Sequence, residues 1–108
     1  MTSASHDDDV VPPPVLEAPP ATYTSYLKVN DLLSLQHRLS EPPHHDEMLF
    51  ILIHQVYELW FKQLLHEVDH ALTAFDADQL LRVHKIFKRV TSIQRVLIAQ
   101  LPVLETMT

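Results

Sequence analysis

The chain has 108 residues, no cysteine and a formal net charge of −6 at pH 7. Without cysteine it can form neither disulfides nor thiolate metal sites. The acidic balance argues against a nucleic-acid partner, because nucleic-acid binding needs a strongly basic face. The chain also contains no glycine, so few turns with positive φ are expected and long helices with few connections are favoured.

We expect a soluble, cytoplasmic protein with no membrane partner. The acidic run Asp7 to Asp9 stands where a signal peptide would carry basic residues, and no apolar segment follows it. The apolar run from Met48 to Ile53 is far shorter than the ~20 residues needed to span a bilayer.

The segment 1–22 differs in composition from the rest of the chain. It holds five prolines and four of the 14 acids, but none of the eight lysines and arginines. This composition predicts a disordered tail. Residues 23–108 are expected to form the helical part of the chain. A first short helix is predicted from Asp31 to about His37, with Asn30 as its N-cap.

The longest predicted helix runs from about His44 to Phe75, after the break at Pro42 and Pro43. Winding it at ~100° per residue gathers its polar side chains into one narrow stripe. The stripe consists of Gln55, Glu58, Lys62, His66 and Asp69. Most other positions are apolar, which is typical of a helix buried on several sides, so we expect a larger protein, an oligomer, or both.

A third helix is predicted from about Ala77 to Gln100, with Asp76 as N-cap and Pro102 ending or kinking it. The three elements together predict an all-α, long-helix bundle. The bases of the third helix are interpreted as a solvated or interface face rather than a nucleic-acid patch. They are Arg82, Lys85, Lys88, Arg89 and Arg95.

The segment His66 to His70 matches H-E-x-x-H, which on a helix could bind zinc with Glu67 as general base. Asp69 is an unusual charge inside such a motif. The chain has neither the glycine of the longer motif nor a suitable downstream glutamate before Pro102. We therefore expect no metal site here. The run from His44 to Glu47 is not a metal cluster either, because adjacent helical residues do not face each other.

His54 lies at the edge of the apolar surface, on the side of the helix that carries Phe50, Tyr57 and Phe61. Two interpretations remain open on the residues alone. His54 is either a core histidine bonded to a backbone carbonyl, or a neutral imidazole that lines an aromatic pocket and makes one directed hydrogen bond.

The segment from His44 to Lys62, HHDEMLFILIHQVYELWFK, closely resembles the signature of the tryptophan 2,3-dioxygenases. YTSYLK at Tyr23 to Lys28 and LETMT at Leu104 to Thr108 are also similar to segments of that family. The resemblance covers about residues 23–108. A near-continuous match of this length is far more specific than H-E-x-x-H.

The resemblance implies part of a larger helical haem dioxygenase, a homotetramer with one haem b per subunit. The family inserts O2 across the indole C2–C3 bond of L-tryptophan to give N-formylkynurenine, in the kynurenine pathway. His54 is the implied catalytic residue, hydrogen-bonding the indole N–H. The implied substrate-lining positions are Phe50, Ile51, Leu52, Ile53 and His54. The positions implied to reach a neighbouring subunit's pocket are Tyr23, Tyr26 and Leu27.

The family's proximal haem histidine, its arginine for the substrate carboxylate and a pocket tyrosine have no match here. None of His66, His70 and His84 stands in the context of the proximal ligand. The axial ligand is therefore expected to be absent, and the chain to be a fragment that is inactive alone. The rival hypotheses are a non-catalytic helical oligomerisation module and a zinc hydrolase acting through His66 to His70.

Overall fold

The computed structural model describes residues 20–107. Residues 1–19, which hold most of the predicted tail, and residue 108 lie outside the described part. The chain divides into two compact units, residues 1–35 and 36–108. Their described residues form five helices and no strand, so the all-α prediction is confirmed there. The helices are α1 (Tyr23–Leu27), α2 (Val29–Leu32), α3 (Glu47–Asp76), α4 (Leu80–Ala99) and α5 (Leu101–Leu104).

The first unit contains the short helices α1 and α2. Thr22 is the N-cap of α1 and forms a reciprocal capping box with Ser25: each side chain accepts a hydrogen bond from the other's backbone N–H. The predicted cap at Asn30 is wrong, because α2 begins at Val29 after Lys28, which adopts φ 52°. The helix then ends at Leu32 rather than near His37.

The second unit is dominated by an antiparallel hairpin of α3 and α4. The Tyr57 hydroxyl donates a 2.8 Å hydrogen bond to the carbonyl of Leu97, and Arg89 pairs with Glu67 at 3.3 Å. The first contact joins the start of α3 to the end of α4, and the second joins the middle of α3 to the middle of α4, so the two helices run antiparallel. The buried apolar side chains between the two helices are Ile53, Ala71, Ala74, Val83, Ile86 and Ile93. Burying an isoleucine of this kind contributes about 1.5–3 kcal/mol.

The turn between α3 and α4 corrects the predicted cap at Asp76. Asp76 is the last residue of α3, and Gln79 precedes α4 without a side-chain cap. The Gln79 N–H donates back to the carbonyl of Ala74 at 2.8 Å. The chain therefore reverses later than predicted, through Asp78 at φ 61°. At the far end, α4 stops at Ala99 and Pro102 lies in the first turn of α5, which confirms the predicted break.

We expect Asp78→Gly to raise the free energy of unfolding by about 0.5–1 kcal/mol. Asp78 holds a left-handed backbone conformation, which costs an L-residue about 1 kcal/mol but suits glycine. Thermal unfolding followed by circular dichroism measures the change as an upward shift of a few degrees in Tm. Asp78→Ala is the matched control and should lower Tm. A fall in Tm with glycine as well would contradict the assigned backbone conformation.

Many apolar side chains of α3 are exposed, although the sequence predicts burial on several sides. α4 covers one side of α3, and the remaining apolar residues face outward. The exposed large side chains of α3 are Phe50, Leu52, Val56, Leu59, Phe61, Leu65, Val68, Leu72 and Phe75. A surface of this kind marks an interaction site. Among residues 20–107, no helix combines the length and the apolar character needed to cross a membrane.

Candidate functional site

Phe50 and His54 form a pair one turn apart near the start of α3. Their ring centroids are 4.3 Å apart with an interplanar angle of 37°. Both side chains are exposed, and Phe50 keeps 49% of its accessible surface. The pair therefore offers an aromatic surface beside a titratable nitrogen, the combination that suits a flat ligand with one polar atom.

The hydrogen bond of His54 fixes which ring nitrogen faces outward as an acceptor. Nδ1 lies 2.7 Å from the Phe50 carbonyl oxygen. Because a carbonyl can only accept, Nδ1 must carry the proton. In the neutral ring, Nε2 then keeps its lone pair and can accept one hydrogen bond. The carbonyl bond predicted for a core histidine is present, but the side chain is exposed.

The aromatic surface continues along α3 through Tyr57 and Phe61. Their rings are stacked, with centroids 6.1 Å apart and an interplanar angle of 23°. The hydroxyl of Tyr57 is bonded to α4 at Leu97, so this part of α3 cannot rotate without breaking that bond. Tyr57 thereby holds the face that carries Phe50 and His54 in a fixed orientation relative to α4.

The five positions predicted to line the substrate do not share one environment. Ile53 is buried in the α3–α4 core, whereas Phe50, Leu52 and His54 are exposed and Ile51 is half-buried. A helix distributes consecutive residues around its axis, and the substrate-lining roles of all five residues stay a prediction. Phe50 and His54, four residues apart, are the pair that the helix brings together.

In the first unit, the three residues predicted to reach a neighbouring subunit all belong to α1, and their side chains are exposed. Tyr23 and Tyr26 are 77% and 76% exposed, and Leu27 is also exposed. Two tyrosines with this exposure on a helix of five residues form an apolar surface with polar tips, which is typical of side chains that bind elsewhere.

Glu47 anchors the segment that precedes the candidate site. Its carboxylate accepts hydrogen bonds from the Ser40 hydroxyl at 2.6 Å and from the Leu39 N–H at 2.8 Å. Ser40 Oγ in turn accepts from the His44 N–H at 2.9 Å. The Ser40 hydroxyl bond, followed by the Leu39 N–H, lowers the pKa of the half-buried Glu47 carboxyl.

We expect Ser40→Ala to raise the pKa of Glu47 towards its ordinary value, since it removes the strongest bond to the charged form. A group whose pKa is lowered by folding stabilises the folded state above its unfolded pKa, and loses that contribution as the pH falls through the folded value. Glu47 therefore ties down the segment near neutral pH and releases it in acid. NMR titration of the carboxyl carbon measures this. Ser34→Ala is the control, and an unmoved titration of Glu47 in Ser40→Ala would refute the arrangement.

Comparison with known proteins adds to this geometry. The sequence profile of the family described as tryptophan 2,3-dioxygenase matches residues 13–108. The chain belongs to the tryptophan 2,3-dioxygenase family. This confirms the resemblance carried by the segment from His44 to Lys62.

Curated tryptophan 2,3-dioxygenases match the chain at about half of the aligned positions. The protein from Herpetosiphon aurantiacus is 51% identical over 87 residues, covering 81% of this chain and 34% of the relative. The protein from Nocardioides sp. is 55% identical over 91 residues, with the same shares. The Myxococcus xanthus protein is 52% identical over 87 residues, or 81% of this chain and 30% of its own. The chain spans about a third of the length of these relatives.

All seven histidines among residues 20–107 are exposed, so none is enclosed in an apolar pocket of the kind that holds a haem-ligating histidine. The exposed apolar face around Phe50 suits contact with a flat ring.

The H-E-x-x-H segment does not form the arrangement of a zinc hydrolase. Glu67 is 4% exposed and accepts hydrogen bonds from Gln63 and Arg89, so its carboxylate is already engaged between α3 and α4. Within residues 20–107, no three histidine, aspartate or glutamate side chains gather in a group that could hold a metal ion. Glu67 is a structural residue of the hairpin.

Proposed function

We propose that this chain forms the substrate-facing wall of a tryptophan 2,3-dioxygenase, the enzyme that inserts O2 across the indole C2–C3 bond of L-tryptophan to give N-formylkynurenine. The observation that carries the proposal is the hydrogen bond from His54 Nδ1 to the Phe50 carbonyl. Because that bond leaves Nε2 as an acceptor, the free nitrogen suits the one N–H donor of an indole ring.

In this proposal His54 orients the indole. Its Nε2 accepts the indole N–H, and the Phe50 ring beside it, 4.3 Å away, extends the apolar wall against the flat substrate. A directed hydrogen bond of this kind fixes the orientation of the indole ring, and with it the positions of the reacting atoms C2 and C3. His54 acts by positioning and need not remove the proton.

Haem b, when bound in the complete enzyme, supplies the iron that binds dioxygen. The part of this chain is to exclude water from one side of that pocket with the exposed aromatic side chains of one face of α3, Phe50 and Phe61. On this proposal, the residue that would hold the haem iron lies outside the described residues.

The exposed surface of α1 supports a second contribution, to a neighbouring subunit. Tyr23, Tyr26 and Leu27 would insert there and close the partner's pocket, as expected for a homotetramer that works in the cytoplasm. The support is their exposure in the described structure, together with the aromatic chemistry that favours such anchors at subunit contacts.

A chimera tests the proposal. This chain would replace the matching third of the Herpetosiphon aurantiacus relative, and the purified chimera would be assayed for haem content, by its Soret absorption, and for N-formylkynurenine. We expect both haem binding and product formation. The unmodified relative is the control for assay and loading.

A chimera that folds and binds haem yet forms no N-formylkynurenine would overturn the assignment of this wall. It would favour the rival hypothesis, a helical oligomerisation module without a catalytic role. Unchanged product formation after both Phe50 and His54 are replaced by alanine in the chimera would also count against the roles given to these two residues.

A further inference from the structure

A cavity lies on the other edge of the α3–α4 hairpin, away from Phe50 and His54. It has a volume of about 540 Å³ and is lined by side chains of both helices. The lining residues are Val56, Leu59, Trp60, Gln63, Arg89 and Ile93. Val56 is only two residues from His54, and a step of two turns a helix by ~200°, so this apolar cavity and the candidate substrate face open on different sides of α3.

A basic groove of about 240 Å³ adjoins the apolar cavity and shares Arg89 with it. Its charged and titratable lining comprises Glu67, His70, Arg82, Lys85 and Arg89. The three bases lie at positions i, i+3 and i+7 of α4, so they follow one edge of that helix. Three cations and one carboxylate therefore line this groove, in a chain whose net charge is −6.

Arg89 has donors left for a ligand. It gives Glu67 one hydrogen bond through one terminal nitrogen, and its side chain remains 58% exposed. A guanidinium carries five N–H donors in a planar fork, so most of them stay available where the apolar cavity meets the basic groove. A carboxylate placed there would form charge-assisted hydrogen bonds.

We propose that this cleft binds an arylalkyl carboxylate, with its ring against Trp60 and its carboxylate between Arg89 and Lys85. The volume of the apolar part lies within the ~300–1,000 Å³ range of small-molecule sites. Its lining has the composition of such sites, mostly apolar with a few polar groups at one end. A neutral aromatic molecule fills the same cavity but leaves the cations without a partner, which gives the site its preference for an anion.

Trp60 makes the test direct, because it is the only tryptophan in the chain and it lines the cavity. The 108-residue chain would be titrated with phenylbutanoate while tryptophan emission is recorded, and the binding checked by equilibrium dialysis. Phenylbutanamide is the neutral control of the same shape. We expect saturable binding of the acid, about three- to fivefold tighter than that of the amide, and weaker binding of the acid alone as salt is raised.

Variants at two exposed bases of the groove, Arg82 and Lys85, distinguish binding at this site from non-specific hydrophobic binding. The pair Arg82→Gln and Lys85→Gln, made together, should weaken phenylbutanoate about two- to threefold and leave the amide unchanged. The pair Lys62→Gln and Arg95→Gln is the charge-matched control, since neither residue lines the cavity or the groove. All four residues are exposed, so folding, checked by circular dichroism, should persist. No saturable binding, equal binding of acid and amide, or an equal effect of the control pair would each overturn the proposal.

Discussion

Arg89→Met is expected to lower the free energy of unfolding by about 2 kcal/mol. The substitution leaves the carboxylate of Glu67, 4% exposed, without its cation between α3 and α4. Breaking a fully buried ion pair costs ~3–5 kcal/mol, but the Arg89 side chain is 58% exposed, and solvent screens part of that energy. Urea unfolding followed by far-ultraviolet circular dichroism measures the change.

Two further variants show whether the loss comes from the unpaired charge. Adding Glu67→Met to Arg89→Met removes both charges, and should return stability to within about 1 kcal/mol of the parent, because apolar replacement of a buried pair is often neutral. Arg95→Met, a matched change at an exposed base on the same helix, should stay within about 0.5 kcal/mol of the parent. If Arg89→Met and Arg95→Met unfold at the same urea concentration, the ion pair does not stabilise the hairpin.

The two long helices follow from apolar periodicity, but their ends do not follow from residue type. Both predicted caps, Asn30 and Asp76, lie inside helices in the structure. Cap preference amounts to about 1 kcal/mol, and tertiary packing readily exceeds it. At the end of α3, the backbone hydrogen bond from Gln79 to Ala74 places the turn after Asp76. The N-cap of α4 is therefore Gln79, whose side chain makes no capping hydrogen bond.

The ion pair of Glu67 was readable from the sequence in part. At ~100° per residue, Glu67 falls nearly opposite Asp69 and Lys62, away from the polar stripe. A charge on the apolar side of a long helix predicts a buried partner. The partner could not be named, because that requires the register between α3 and α4.

The candidate site depended on a different kind of information. Periodicity placed His54 at the edge of the apolar face beside Phe50, and left both a core histidine and a pocket histidine open. The bond from Nδ1 to the Phe50 carbonyl and the exposure of the ring decide its chemistry, and neither can be read from residue type. Only the resemblance to the tryptophan 2,3-dioxygenases suggested the indole N–H as the donor of a hydrogen bond to Nε2.

In the chimera described above, His54→Ala is expected to lower kcat/KM for L-tryptophan about 10- to 100-fold while haem stays bound. The reason is the loss of one directed hydrogen bond to the indole, worth about 1–3 kcal/mol in a pocket that excludes water. His54→Gln, whose amide oxygen can still accept, should recover part of the loss. N-formylkynurenine formation and the Soret absorption are measured on the same samples.

His66→Ala is the matched control, because His66 is an exposed histidine of the same helix on its polar stripe, and its removal should leave kcat/KM unchanged. A methylated indole nitrogen offers a second readout. If His54 acts through the indole N–H, the parent chimera should lose about as much kcat/KM on 1-methyltryptophan as His54→Ala loses on tryptophan, and the two losses should not add, because both remove the same hydrogen bond. Loss of haem in His54→Ala, or additive losses, would show that His54 supports the pocket in some way other than by holding the substrate.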